Sequence, residues 1–222
     1  MTKTWIEAAI NGRWGKHRQP GSPTTVEECI EQGVACAEAG AAIVHVHAFD
    51  AEADEEDDDA DVYARIIHGI QDRVDAIVYP TTPSAGIGVD ETLSAEQRFA
   101  NHDELGRRGL LEWSVVDPGS INSTTYEAVA RDEPGDVYLN PDEHVRTGLE
   151  VAGRYGASPS YAIYEPGFVR LGAALADGTT GSGSRSTGSC SARSSPSTTR
   201  RTRTHWRVST GCWPTKPATS PG

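Results

Sequence analysis

The sequence predicts an α/β fold built on a parallel sheet, ahead of a disordered C-terminal tail. Three observations predict it. Short apolar runs alternate with amphipathic helical stretches over residues 4–176, the order that builds a parallel sheet. The runs are almost continuously apolar, as strands covered on both faces must be. Polar residues gather where the strands end: Asn11, His45 and His47, Thr81 and Thr82, Asp117 to Asn122, and Glu165. In a (β/α)8 barrel that end carries the active site, and an open doubly wound sheet also places ligands there. No GxGxxG or GxxxxGK[ST] phosphate loop occurs, which counts against nucleotide binding.

The elements follow in order. Residues 4–11, TWIEAAIN, form the first strand, and a loop with Pro20 and Pro23 follows. The first helix spans Thr25 to Ala39. Thr24 or Thr25 caps it, Glu27 and Glu28 complete capping boxes, and Gly40 ends it. Strand two is 41–48. An acidic loop, 50–61, leads to a helix over 62–73 with Val62, Ile66, Ile67 and Ile70 on one face. Strand three is DAIVYPTT, 75–82. Ser94 opens the helix SAEQRFANHDELGRR, and LEWSVVDPG, 111–119, is strand four. Residues 136–140 are extended, Asn140 caps a helix starting at Pro141, strand five is 160–165, and 167–176 begin another helix.

The pattern stops there, which divides the chain into an α/β body, 1–176, and a tail, 177–222. Residues 178–222 hold 26 Ser, Thr or Gly in 45 positions, with Val208 the only aliphatic residue larger than alanine. Such a segment buries too little apolar surface to offset its ordering entropy. The abrupt change in composition, in mid-helix, also reads as a shifted reading frame.

Charge and thiols bound the function further. The net charge is −12, yet all 32 Asp and Glu lie within residues 1–177 while seven of the 20 Lys and Arg follow them. So acidic a body argues against nucleic-acid partners and suits a protein kept soluble at high salt. No run of roughly 18 apolar residues exists, so no membrane span is expected. The start, MTKTWIEAAIN, lacks a signal peptide's apolar core, and a cytoplasmic protein is expected. Cys29 and Cys36 fit one helical face as small buried residues, and no CxxC occurs among the four cysteines. The run DAEADEEDDDAD lacks the glycine and glutamate of an EF-hand loop and reads as solvated.

The stretch AAIVHVHAFD, 41–50, is the sharpest signal. Strand side chains alternate faces, so His45 and His47 point the same way. Two neutral imidazoles so spaced can bind one zinc ion, at about 2.0–2.1 Å each, and a catalytic zinc needs a third protein ligand and an open position. The remaining histidines, His17, His68, His102, His144 and His205, fall in loops or on helix surfaces and read as solvated.

The segments EAAINGRW, CAEAGAAIVHVHAFD, AIVYPTT, PGSIN and AIYEPGFV together resemble the β-keto acid cleavage enzymes, in the right order from residue 4 to about 176. The resemblance implies a zinc-dependent TIM barrel, present over residues 1–176 as an incomplete (β/α)8 barrel with about five of eight strands, that condenses a β-keto acid with acetyl-CoA, giving acetoacetate and a new CoA ester. It implies His45 and His47 as zinc ligands and places Thr81 and Ser84 in the turn that holds the substrate carboxylate. Ser120 and Asn122 match a turn ending strand four. Glu165 matches the acidic residue ending strand five, as a catalytic group or as a carboxylate capping the next helix. A homo-oligomer is the expected assembly.

Three departures stand out. Trp14 occupies the place of a glutamate that receives the ammonium of an amino-substituted keto acid, so that substrate is not carried over. Glu7, on the face of Asn11, is then a candidate substrate contact together with Asn11. The turn TTPSAG is poorer in glycine than its counterpart. No late Arg with a Glu-Asp pair, which would bring the third ligand and the base, follows residue 176. Two other readings fit the same residues: a zinc-dependent barrel hydrolase, and an inactive truncated relative.

Overall fold

Val44, Val46 and Val78 point to one side of their strands, and Ile43, His45 and Tyr79 to the other. That alternation sorts the molecule into layers. The computed structural model describes residues 4–50, 52–83, 93–181 and 205–207. Strands β1 (Glu7–Ala9), β2 (Ile43–Val46) and β5 (Ile77–Pro80) form one parallel sheet in the order β1-β2-β5. Its register sets Ala9 beside His45 and His45 beside Tyr79. Strands β6 (Trp113–Val115) and β9 (Ser158–Ala162) form a second parallel sheet, with Trp113 opposite Ser158. Strands β5 and β6 lie side by side, Tyr79 and Trp113 holding their rings 5.9 Å apart.

One face of the first sheet packs on helices α1 (Val26–Glu38) and α2 (Ala60–Gln71). Cys29, Val34, Tyr63, Ile66, Ile67 and Ile70 are buried there against Val44, Val46 and Val78. Burying each large aliphatic side chain contributes about 1.5–3 kcal/mol. Gly33 lets α1 approach closely, because a Cβ there would stand 2.5 Å from Ile70 Cδ1. Thr25 caps α1 in a capping box with Glu28, so one of the two expected caps is used. Cys29 is buried and Cys36 half-buried, so the shared face is only partly inside. Burial pushes the Cys29 thiol up to about 12 and keeps it protonated.

Several elements differ from expectation. The first strand shortens to three residues. The expected loop at 50–61 contains a hairpin, β3 (Phe49–Asp50) with β4 (Glu55–Glu56), and α2 starts at Ala60 because Asp59 caps it. The helix from Ser94 breaks at Phe99 into α3 (Ala95–Arg98) and α4 (Ala100–Arg107). An unexpected antiparallel pair, β7 (Ile121–Ser123) and β8 (Asp136–Tyr138), brackets a short helix, α5 (Tyr126–Ala130). The next helix, α6 (Asp142–Tyr155), has Pro141 at its N-cap; Asn140 instead donates to the Gly119 carbonyl at 2.7 Å. Helix α7 (Pro166–Gly181) continues past the stretch expected to begin it, 167–176. A short strand, β10 (His205–Arg207), extends the second sheet beside β9. No helix among the described residues is long and apolar enough to cross a membrane.

Candidate functional site

His45 and His47 stand at the C-terminal end of β2. His45 is 5 % exposed, and its ring lies 4.6 Å from that of Tyr79. The two imidazoles have centroids 5.1 Å apart and planes at 76°. Two imidazoles sharing one tetrahedral ion stand about 5 Å apart, so this spacing fits a shared metal. Among the described residues, no group of three or more His, Cys, Asp or Glu is arranged to hold one.

Asn11, two residues beyond β1, fixes His47. Its Nδ2 donates to the His47 carbonyl and its Oδ1 accepts the His47 N–H, both at 2.8 Å. Nδ2 also donates to the Pro23 carbonyl at 2.9 Å. The amide, expected to meet substrate, is occupied by backbone and sets where the histidine stands. The His47 ring itself meets Glu56, whose carboxylate Oε1 bonds Nδ1.

Glu7 lies on the same side of the first sheet. Its carboxylate accepts the Tyr79 hydroxyl at 2.8 Å, and that hydroxyl lies 3.2 Å from Ser160 Oγ on β9. Tyr79 therefore brings Glu7, His45 and Ser160 into one cluster that spans both sheets. Sequence reasoning did not single out Tyr79 or Ser160. The signal was present in the strand period, because Tyr79 sits two residues before Thr81.

Thr81 continues β5, donating its N–H to the Val46 carbonyl at 3.1 Å. Its own carbonyl accepts His102 Nε2 at 2.9 Å, while His102 Nδ1 meets the Ser114 hydroxyl at 2.7 Å. His102 is thus a fully buried residue of α4, not a solvated one. Burial pushes its pKa down to about 4, and the neutral ring braces the end of β5. His144 is half-buried with its Nδ1 enclosed, whereas His17 and His68 are exposed as expected. Ser84 and His205's side chain lie outside what is described.

The remaining expected residues stand apart. Ser120 Oγ accepts the Asn140 N–H at 2.8 Å, and Asn122 is exposed on β7. Glu165 is exposed immediately before α7, with Oε1 3.0 Å from where a Gly167 Cβ would sit, so its carboxylate lies over the first turn. Asp117 was noted only as part of a polar strand end. It accepts the Ala162 N–H at 2.8 Å and the Tyr138 hydroxyl at 2.6 Å, joining β6 to β9 and β8.

Two arginines flank the site loop. The guanidinium carbons of Arg13 and Arg18 lie 4.8 and 4.1 Å from the Trp14 ring centroid. Asp54 anchors the same loop, accepting the N–H groups of Lys16 at 2.8 Å and His17 at 2.9 Å. A cleft of about 580 Å³ between α1 and α2 is lined by Val26, Ile30, Ala64 and His68 on the outer layer, remote from the histidine face.

Parallel strands covered by helices, with titratable groups gathered at their C-terminal ends, are the arrangement of an α/β enzyme. The particular kind is given by sequence comparison: a profile of the beta-keto acid cleavage enzyme family matches residues 3–183, and the chain belongs to that family. No curated protein matches the chain. Among solved structures, the apo structure of ObcA superposes with a TM-score of 0.57 at 18 % identity, covering 72 % of this chain and 33 % of that one. The ternary complex of ObcA with C4-CoA adduct and oxalate gives 0.48 at 16 % identity, over 72 % and 34 %. The chain spans about a third of the length of these structures.

Proposed function

We propose that the chain carries the zinc-binding portion of a β-keto acid cleavage acyltransferase. The reaction joins a β-keto acid to acetyl-CoA and yields acetoacetate and a new CoA ester. In this reading the two sheets are an arc of a (β/α)8 barrel, with Tyr79, Trp113 and Val115 in its interior. The observation that carries the proposal is the histidine pair: two imidazoles 5.1 Å apart on one face, ending an otherwise apolar parallel strand. His45 and His47 would hold the metal.

When bound, zinc supplies a Lewis acid for the keto oxygen, where carbon–carbon bond formation builds negative charge. The chain's own residues orient the partners. Asn11 holds His47 by its backbone, and His102 holds the Thr81 carbonyl. Thr81, with Ser84, would take the substrate carboxylate. Arg13 and Arg18 around Trp14 favour a keto acid whose far end is neutral or anionic rather than an ammonium.

The test is zinc stoichiometry of the purified full chain, measured by elemental analysis after dialysis. One zinc per chain in the wild type and loss in His45→Ala is the expected pair of results. Equal zinc in both proteins would sink the proposal. Turnover of a β-keto acid panel with acetyl-CoA then separates this enzyme from a hydrolase, which would consume substrate without the thioester.

A further inference from the structure

The acidic run at 50–61 is not all solvated. Glu55 and Glu56 pair with Asp50 and Phe49, so the run folds back as a hairpin. Phe49 is buried, and the Asp57 N–H donates to the Ala48 carbonyl at 3.0 Å. These contacts hold Glu56 beside the histidine strand. Its carboxylate bonds His47 Nδ1, with side-chain exposures of 14 % for His47 and 22 % for Glu56. On the backbone side, Asn11 grips both the N–H and the carbonyl of His47. Both ends of the contact are therefore fixed by packing.

A carboxylate can accept only from a protonated ring nitrogen. Bonding Nδ1–H leaves the lone pair of the neutral ring on Nε2, the atom that remains for a ligand. Carboxylates placed this way orient a metal-binding histidine, fix its tautomer and raise its basicity. We propose that Glu56 is the positioning residue of the histidine pair, setting the His47 tautomer and thereby the affinity for a divalent cation. This rests on the reading of His45 and His47 as metal ligands. It also gives the hairpin a purpose beyond connecting β2 to α2.

Two readouts on the full chain test it. The first is the tautomer of His47 in metal-free protein at pH 7.5, read from long-range ¹⁵N–¹H correlations, with His47→Ala supplying the assignment. A proton on Nδ1 is expected. In Glu56→Ala the same ring should shift toward the Nε2–H form. The second is zinc affinity by competition with a chromophoric chelator. Glu56→Ala is expected to bind about 10- to 100-fold more weakly than wild type, and Glu56→Gln, which keeps the shape, to lie between them. Far-ultraviolet circular dichroism confirms that each variant is folded.

If Glu56→Ala binds zinc as tightly as wild type while His45→Ala does not, the role of Glu56 is overturned and the histidine site stands. If neither wild type nor His45→Ala binds zinc, the metal reading fails, and Glu56's role falls with it. A His47 ring whose Nδ1 carries no proton would also overturn the proposal, because the Glu56 carboxylate would then have nothing to accept.

Discussion

The Tyr79 hydroxyl joins β5 to β1 and β9, donating to Glu7 of β1 at 2.8 Å and lying 3.2 Å from Ser160 of β9. With its proton given to Glu7, the phenol accepts from the Ser160 hydroxyl. A tyrosine that bridges two sheets ties together elements distant in sequence.

Tyr79→Phe removes both bonds and keeps the ring against His45 and Trp113. Loss of a bond to a charged acceptor costs about 1.5–3 kcal/mol. A urea denaturation midpoint lowered to match, with an unchanged slope, is the expected result. An unaltered midpoint would show that the bridge does not hold the sheets.

His102 predicts acid sensitivity. The folded ring titrates near 4 and the unfolded one near 6.5, because burial disfavours its charged form. The unfolded chain therefore binds more protons between these values. Stability from this group is complete above pH 6.5 and falls as pH drops toward 4, by about 2 kcal/mol between pH 7 and 5. Urea titrations of wild type and His102→Gln at both pH values should show the smaller loss in the variant. Parallel losses would mean that another group governs the acid limb.

Asn11→Ala should cost about 1–3 kcal/mol by leaving the His47 backbone groups without their side-chain partner. Asn11→Asp should cost at least as much, since it sets a carboxylate oxygen against the carbonyls of Pro23 and His47. Thermal melts of both variants read this directly. A melt of Asn11→Asp that matches wild type would exclude the clasp as a stabilising contact.

Trp14→Glu tests the substrate preference. The arginines that stack on Trp14 would turn to the new carboxylate, and the loop would lose positive character. The ratio of kcat/KM for an amino-substituted over a neutral β-keto acid should rise about 2- to 5-fold, the size of a partly exposed charge contact. A ratio that stays constant would place the loop outside substrate reach.

The order of strands and helices, the five parallel strands and the histidine pair were legible because each leaves a local pattern. Apolar period and caps mark α1 and α2, and HVH marks its own face. What was not legible depends on contacts between distant segments. The β3–β4 hairpin has no apolar alternation, and it folds back with Phe49 turned inward and Glu56 against His47. His102 looks solvated because α4 is mostly polar, yet it points at Ser114 and Thr81 beneath it. Asn140 has the composition of a cap, but the Gly119 carbonyl competes for its amide. Tyr79 reads as one more core aromatic until Glu7 and Ser160 are placed beside it.

The grip of Asn11 on His47 spans 36 positions of chain and, with the β1–β2 pairing beside it, closes the segment between them into a loop with a fixed neck. Whatever happens to the length of the exposed turn around Gln19 and Pro20 is absorbed outside that neck. Lengthening a flexible loop costs only about 0.6 kcal/mol for each doubling. Insertions there should accumulate freely among homologues, or be engineered in as tags and reporters, without displacing the imidazoles.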